Sequence, residues 1–224
     1  NQDLAGKTPT GDKSLATKFA DFQNKTYGFS VGGPIIKNKV FYFINAEKQR
    51  DERPQPFDVT NNYQGNTKTP AQIQRLKDTL MARGGYDPGT YLDNPERIEA
   101  ERIAARIDWN MNDKHKFSVS YRYTKADRYN TNTSSTTAIQ FGNNGWLQPN
   151  RTHSISAELK SIVGKSGSNK FLLTYTNVSD DRGPIGNPYP RIIINDGTGT
   201  NNNNGLLIGP DPSANVNILT QKNW

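Results

Sequence analysis

The sequence predicts an all-β fold, an antiparallel sheet of about six strands, on three observations. Apolar residues are gathered into short aromatic and β-branched runs; these runs alternate apolar with polar at a period of two; and tight turns between runs alternate with long polar connectors.

Composition sets the frame for these runs. Only 32% of the 224 residues are hydrophobic, against roughly 45 to 50% apolar in compact water-soluble domains, so an ordinary filled core is not expected. Disorder does not fit either, because the 10 Tyr, 9 Phe and 3 Trp are concentrated rather than scattered. The apolar deficit lies in the connectors, which are rich in Asn, Gly, Thr, Ser and Pro. No cysteine is present, which excludes disulfides, zinc-thiolate sites and cysteine nucleophiles together. No stretch approaches the roughly 20 apolar residues of a membrane-spanning helix. Asn1 to Thr10 lacks the basic and apolar parts of a signal peptide, and the missing initiator Met fits a processed or excised segment. The net charge is +7, but basic and acidic residues interleave, as in Glu47-Lys48-Gln49-Arg50-Asp51-Glu52-Arg53, which reads as a solvated strand extension and not a nucleic-acid surface.

Along the chain, residues 1–25 read as loop with at most one helical turn around Leu15 to Phe22. From Tyr27 the pattern alternates: Tyr27, Phe29 and Val31 point one way, Gly28, Ser30 and Gly32 the other. Lys37-Asn38-Lys39 turns the chain into Val40, Tyr42, Ile44 and Ala46 on one face, with Phe41, Phe43, Asn45 and Glu47 opposite, a hairpin over about 27–50. A second hairpin, about 101–125, alternates Ile103, Ala105, Ile107 and Trp109 with polar neighbours. It turns at Asn112-Asp113-Lys114 into Phe117, Val119, Tyr121 and Tyr123. The third, about 152–179, sets Ile155, Ala157 and Leu159 against Ser and charged residues, turns at 164–169, and returns through Phe171, Leu173 and Tyr175.

Between the hairpins lie loops near 51–100, 126–151 and 180–224. Loops above about 12 to 15 residues are uncommon in compact domains. The first contains one helix signal: Thr69 as N-cap, Pro70 at the first helical position, Gln72 completing a capping box, Ile73, Leu76 and Leu80 on one face, and a stop at Gly84-Gly85. It should pack over the loop, and a ligand-gating role is open to it.

Short turns on one rim and long loops on the other, with one apolar and one polar face, predict a transmembrane antiparallel β-barrel segment with long extracellular loops. In a membrane every backbone donor and acceptor must be satisfied within the protein, so strands span only as part of a closed barrel. A single short helix cannot shield six strands, so the apolar face is expected to meet lipid. Tyr27, Trp109, Phe117, Tyr123 and Tyr129 are expected in the aromatic girdles. Arg102, Arg106, Asp108, Arg122, Glu158 and Lys160 fall on the opposite face as candidate lumen-lining residues. Six strands leave two open edges for the rest of the barrel to pair.

Tyr27-Gly28-Phe29-Ser30-Val31-Gly32-Gly33-Pro34-Ile35-Ile36-Lys37-Asn38-Lys39-Val40-Phe41-Tyr42-Phe43, followed by Glu47, resembles a hairpin of TonB-dependent receptors, more narrowly of their Oar-like group, whose members often begin with a carboxypeptidase-regulatory-like domain. Arg106-Ile107-Asp108-Trp109-Asn110 through Asp113-Lys114-His115-Lys116-Phe117 to Tyr121-Arg122-Tyr123 is similar to a second hairpin of the same proteins. The resemblance covers about residues 26 to 178, loops excepted, with Asn38 where the family has Asp; both suit a tight turn. It implies an early part of the barrel, just after a plug domain that this sequence does not show. It further implies TonB-driven uptake of a glycan, peptide or siderophore-like nutrient, or another envelope role. The partners it implies are outer-membrane lipid, the remainder of the barrel and its plug, the TonB complex through a missing N-terminal part, and envelope proteins.

Catalytic chemistry is not expected. His115 and His153 lack metal or general-base spacing, and no nucleophile elbow, P-loop or dinucleotide fingerprint occurs. Asp196-Gly197-Thr198-Gly199-Thr200 lacks the later acidic ligands of a calcium loop, and Asp180-Asp181 reads as a solvated turn. No cofactor, metal or nucleic-acid partner is expected. The alternative reading is a secreted all-β module that binds glycan or protein, with Trp146, Tyr189 and Trp224 as stacking residues.

Overall fold

The computed structural model of the protein describes residues 21–67, 69–199, 204–215 and 218–223. In chain order the elements are β1 (Gln23–Ile36), β2 (Val40–Arg53), α1 (Val59–Asn62), α2 (Pro70–Gly84), β3 (Glu96–Asn110), β4 (His115–Thr131), β5 (Ala138–Gln140), β6 (Gly145–Val163), β7 (Gly167–Asp181), β8 (Gly183–Pro184), β9 (Ile192–Ile194), β10 (Gly205–Ile208) and β11 (Ile218–Asn223). The main sheet runs β1-β2-β3-β4-β6-β7-β11, every pair antiparallel, with β8 added beside β6. All six expected strands are present, and β11 extends the sheet by a seventh. Most strands run further toward the long loops than the alternation indicated, which shortens those loops to 54–95, 132–144 and 182–217. The turn between β6 and β7 likewise narrows to 164–166. The helical turn suggested for Leu15 to Phe22 lies almost wholly outside the described residues, and Trp224 lies outside them.

Register explains why the hairpins share one design. Val31, Ile44, Ala105, Tyr121, Ile155 and Tyr175 stand side by side across the sheet, as do Tyr42, Ile107, Val119, Ala157 and Leu173. Four consecutive same-face residues in each of β2, β3 and β4 are apolar, from Ala46, Ile103 and Tyr123 at one end to Val40, Trp109 and Phe117 at the other. At ~3.4 Å per residue these span about 20 Å along each strand before the end side chains are added, close to the ~25 Å apolar band of a membrane barrel. Nothing in the described chain covers this face: Ile103 is 44% exposed, Ile107 51% and Leu173 60%. Beyond the Ile103 row the same face turns charged, with Lys48, Glu101, Lys125 and Arg151 in register. The band therefore ends there, and the strands project past it.

This register corrects one girdle assignment. Tyr27, Trp109, Phe117 and Tyr123 sit at the edges of the apolar band, but Tyr129 lies six residues beyond Tyr123 with the Arg97 guanidinium 4.0 Å over its ring. His153 takes the boundary role that sequence did not foresee, beside Tyr123 and hydrogen-bonded through Nδ1 to the Tyr121 hydroxyl at 2.8 Å.

The first hairpin turns through Asn38, the only non-glycine residue among those described with positive φ (62°), a conformation that Asn tolerates better than most residues. On the polar face β1 is kept small by its neighbour. A Cβ at Gly32 would sit 3.0 Å from the Tyr42 carbonyl oxygen and 3.2 Å from Phe43 Cδ2, and one at Gly28 would sit 3.1 Å from Glu47 Cγ.

The buried core lies in the loops, not between sheets. Helix α2 forms as its caps demand: the Thr69 side chain accepts from the Gln72 N–H, Gln72 answers in a capping box, and Gly85 closes the helix at φ 61°. Its Ile73, with Leu76 and Leu80, packs on Val59, Tyr63, Tyr91, Phe141, Leu206 and Ile208. Strand β10 pairs parallel to β5 and antiparallel to β9, a second, three-stranded sheet. The three long loops thus condense into one cap, with α1 and α2 from the first, β5 from the second, and β9 and β10 from the third.

Candidate functional site

Two regions hold polar groups in a defined arrangement: the polar face of the main sheet and the cap. The six residues singled out in the sequence all lie on the polar face, because β3, β4 and β6 pair without register shifts. Arg106 grips Asp108 with both Nε and a terminal nitrogen, at 2.7 to 3.0 Å. Glu158 lies between Lys160 at 2.9 Å and Lys170 at 2.8 Å. Arg102 donates to the Gln49 side chain at 2.9 Å and stands 3.9 Å from Glu47. Arg122 has no charged partner among the described residues, facing Ala104 and Ser154 in register. Between the charges runs a hydroxyl ladder, Ser120 to Ser156 at 2.7 Å and Ser154 to Thr176 at 3.1 Å.

The sequence missed Gln49 and Lys170 as partners. Alternation assigns each residue to a face, but the neighbour across a strand pair depends on register, which one sequence does not reveal. The face is also not uniformly polar: Phe43 is 45% and Leu172 51% exposed on it near the short turns.

Three polar clasps tie the cap together. Asp196 of the third loop accepts from the Tyr63 hydroxyl at 2.6 Å and the Thr67 N–H at 3.1 Å in the first. Burial and the neighbouring Asp196 carboxylate push the Tyr63 phenol well above its usual range. Asn143 of the second loop donates to the Tyr86 hydroxyl in the first and accepts from the Gly209 N–H in the third at 3.2 Å. Asp211 accepts from the Asn132 side chain at 2.9 Å and the Ser213 N–H at 2.7 Å. Burial raises the Asp211 carboxyl, but these donors together with the nearby Arg191 charge outweigh it and hold it below its usual range. Asp58 is lowered by its bonds from Asn61, and Asp87 by the Gly89 N–H and Lys77.

Two of the three stacking residues of the alternative reading, Trp146 and Tyr189, lie within the described residues, and each has one ring contact inside the protein. Tyr189 lies flat on Tyr86 with ring centroids 3.4 Å apart, and the Trp146 ring carries the Arg182 guanidinium at 5.0 Å. His115 bonds Ser161 at 2.9 Å, and among the described residues no group of His, Asp and Glu is arranged to hold a metal ion.

Residues 1–64 match the family model described as an outer membrane beta barrel domain. No curated protein and no solved structure matches the chain. With the exposed apolar band, the two-faced strands and the division between short turns and long loops, the match establishes an all-β, mostly antiparallel outer-membrane β-barrel architecture and places the protein in the outer membrane. No helix among the described residues is long and apolar enough to cross a membrane; strands do so here.

Proposed function

We propose that the chain forms the wall and extracellular rim of a TonB-dependent receptor that takes up a nutrient too large for simple diffusion. The observation that carries this reading is the pairing of a lipid-facing wall with long loops condensed into a structured cap. A barrel that serves only as a scaffold needs no such cap, whereas loops on a rigid framework are where receptors place recognition. The two hairpins that resemble TonB-dependent receptors are β1–β2 and β3–β4, adjacent in the sheet, as a common barrel origin requires. Among the described residues no strand pairs the outer edges of β1 and β11; further strands of the closed barrel would pair them, since unpaired backbone groups in lipid cost several kcal/mol each.

In this reading the polar face lines the lumen. Arg106–Asp108 and Glu158 with its two lysines are internally neutralised, which suits a wall against a plug, while Arg122 is available to a plug carboxylate. No catalytic step is assigned to the chain. The partners are outer-membrane lipid, the rest of the barrel with its plug, and the TonB complex. Cross-linking of intact cells, followed by capture with an antibody to loop 54–67, tests the coupling. The proposal requires a product containing TonB that disappears in cells lacking it; capture of the protein from the outer membrane with no TonB product would overturn it.

A further inference from the structure

A cavity of about 330 Å³ lies where the cap meets the projecting strands. Its walls come from all three loops and from β3 and β4, with Tyr86, Asn94, Arg97, Tyr129, Gly142 and Asn187 among them. The volume is in the range of small-ligand sites. Its position is unexpected for an import path. Arg97 and Tyr129 share the face of Ile103 and Tyr123, the lipid-facing side, and not that of Arg102 and Arg122. The cavity thus sits outside the wall, about 20 Å along the strands beyond the end of the apolar band.

The lining joins apolar surface to a few polar groups and is electrically balanced. Asp87 is paired with Lys77 at 3.1 Å, and Arg97 Nε lies 3.4 Å from Glu99. Asn94 is 3% exposed; its Nδ2 is committed to the Gln140 carbonyl at 2.6 Å, but its Oδ1 has no hydrogen-bond partner. That Oδ1 lies 3.2 Å from where a Cβ on Gly142 would be, with the Thr90 N–H nitrogen at 3.3 Å, so a side chain at Gly142 would crowd it. A buried acceptor without a partner is costly, and a ligand donor would satisfy it. Amides at Asn94 and Asn187, hydroxyls at Thr90 and Thr131, and the Tyr86 and Tyr129 rings supply hydrogen bonds and apolar surface without net charge.

We propose that this cavity binds one neutral sugar unit of a glycan, held beside the barrel wall and not delivered to the lumen. A sugar ring offers hydroxyl donors to Asn94 Oδ1 and a C–H face to the aromatic side chains. The unit can belong to an outer-leaflet glycolipid whose acyl chains lie along the apolar band, or to a soluble oligosaccharide. The inference depends on the outer-membrane orientation and not on coupling to TonB.

The test uses full-length protein purified from outer membranes in detergent. The probes are the delipidated core oligosaccharide of the same bacterium, maltohexaose, and an uncharged tetrapeptide, with binding read by calorimetry. Saccharide binding is expected, weakened about tenfold or more in Gly142→Ala, whose Cβ crowds Asn94 Oδ1 and the Thr90 backbone, and in Asn187→Ala, an exposed change that leaves the cap core intact. Core oligosaccharide bound in preference to maltohexaose assigns the glycolipid; the reverse assigns a soluble glycan; both uphold the proposal. Binding of neither saccharide, binding of the tetrapeptide alone, or saccharide binding unchanged in Asn187→Ala and in a folded Gly142→Ala would overturn it.

Discussion

Replacing Ile107 with arginine separates a wall in lipid from a sheet in water. Ile107 stands inside the apolar band, in register with Tyr42 on one side and Val119 on the other, and is 51% exposed. It lies one row, about 7 Å, inside the Trp109 edge and about 14 Å from the Ile103 edge. A guanidinium there cannot reach water without deforming the bilayer, and the cost for a barrel is ~2–4 kcal/mol at mid-depth against ~0–1 near the interface. That corresponds to roughly a 30- to 700-fold loss in folding equilibrium. In an aqueous sheet a half-exposed position would tolerate the change within about 0.5 kcal/mol. Gln23→Arg, on the same face of β1 but beyond the band and opposite Glu52, is the control, expected near zero. The assay is reversible guanidinium unfolding of the full-length protein in phospholipid vesicles, followed by tryptophan fluorescence. An Ile107→Arg midpoint indistinguishable from both the parent and Gln23→Arg would refute lipid exposure of this face.

Gly32→Val should cost about 1–3 kcal/mol, because its Cβ meets the Tyr42 carbonyl and the Phe43 ring. Gly33→Val, whose nearest neighbour would be 3.8 Å away, should be tolerated in the same unfolding assay. Ile73→Ala should loosen the cap by about 2–5 kcal/mol and Thr69→Ala by about 1 kcal/mol, with hydrogen exchange rising in α2 and β10 while β3 and β4 stay protected. The cap should also open in acid. Asp58 and Asp87 have carboxyl pKa values lowered from 3.8 in the folded state, so their stabilisation is complete above about pH 4 and lost as pH falls through the depressed values. Exchange in α1 and α2 measured down to pH 2 should show this loss, and Asp87→Asn should remove part of the dependence. At the other extreme the raised Tyr63 phenol stabilises the cap below about pH 10 and ceases to do so as pH climbs above it.

The wall was legible because each strand carries its own evidence: Ile103 to Trp109 and Phe117 to Tyr123 alternate without exception on one face, and the turns at Asn38 and Asn112-Asp113-Lys114 mark where they reverse. Helix α2 was legible for the same reason, since Thr69, Pro70, Gln72 and Gly85 are local signals. The cap as a whole was not. Strand β10 has four residues in an Asn-rich tract, and its partners Ala138–Gln140 and Ile192–Ile194 are three-residue strands, one of them in a different loop. Segments that short show no period, and their pairing is decided only when the loops pack. Tyr129 was misplaced because an aromatic near a strand end looks like a girdle residue until register shows how far the strand continues past the band. The polar-face residues were assigned to a face by parity, but the partnership of Glu158 with Lys170 needed the β6–β7 register.

The most direct test of the lipid-facing wall uses single cysteines, which these 224 residues do not contain, in a full-length protein whose other cysteines, if any, are replaced by serine. Single cysteines at Ile107, Ile155, Ala104 and Ser156, each carrying the same fluorophore, would be measured in vesicles of brominated phospholipid with the full-length protein. Strong quenching at 107 and 155 with little at 104 and 156 is the predicted result, since the first pair lies on the apolar face and the second on the polar one. Equal quenching at all four positions, or none at any, would contradict a barrel wall with one face in lipid.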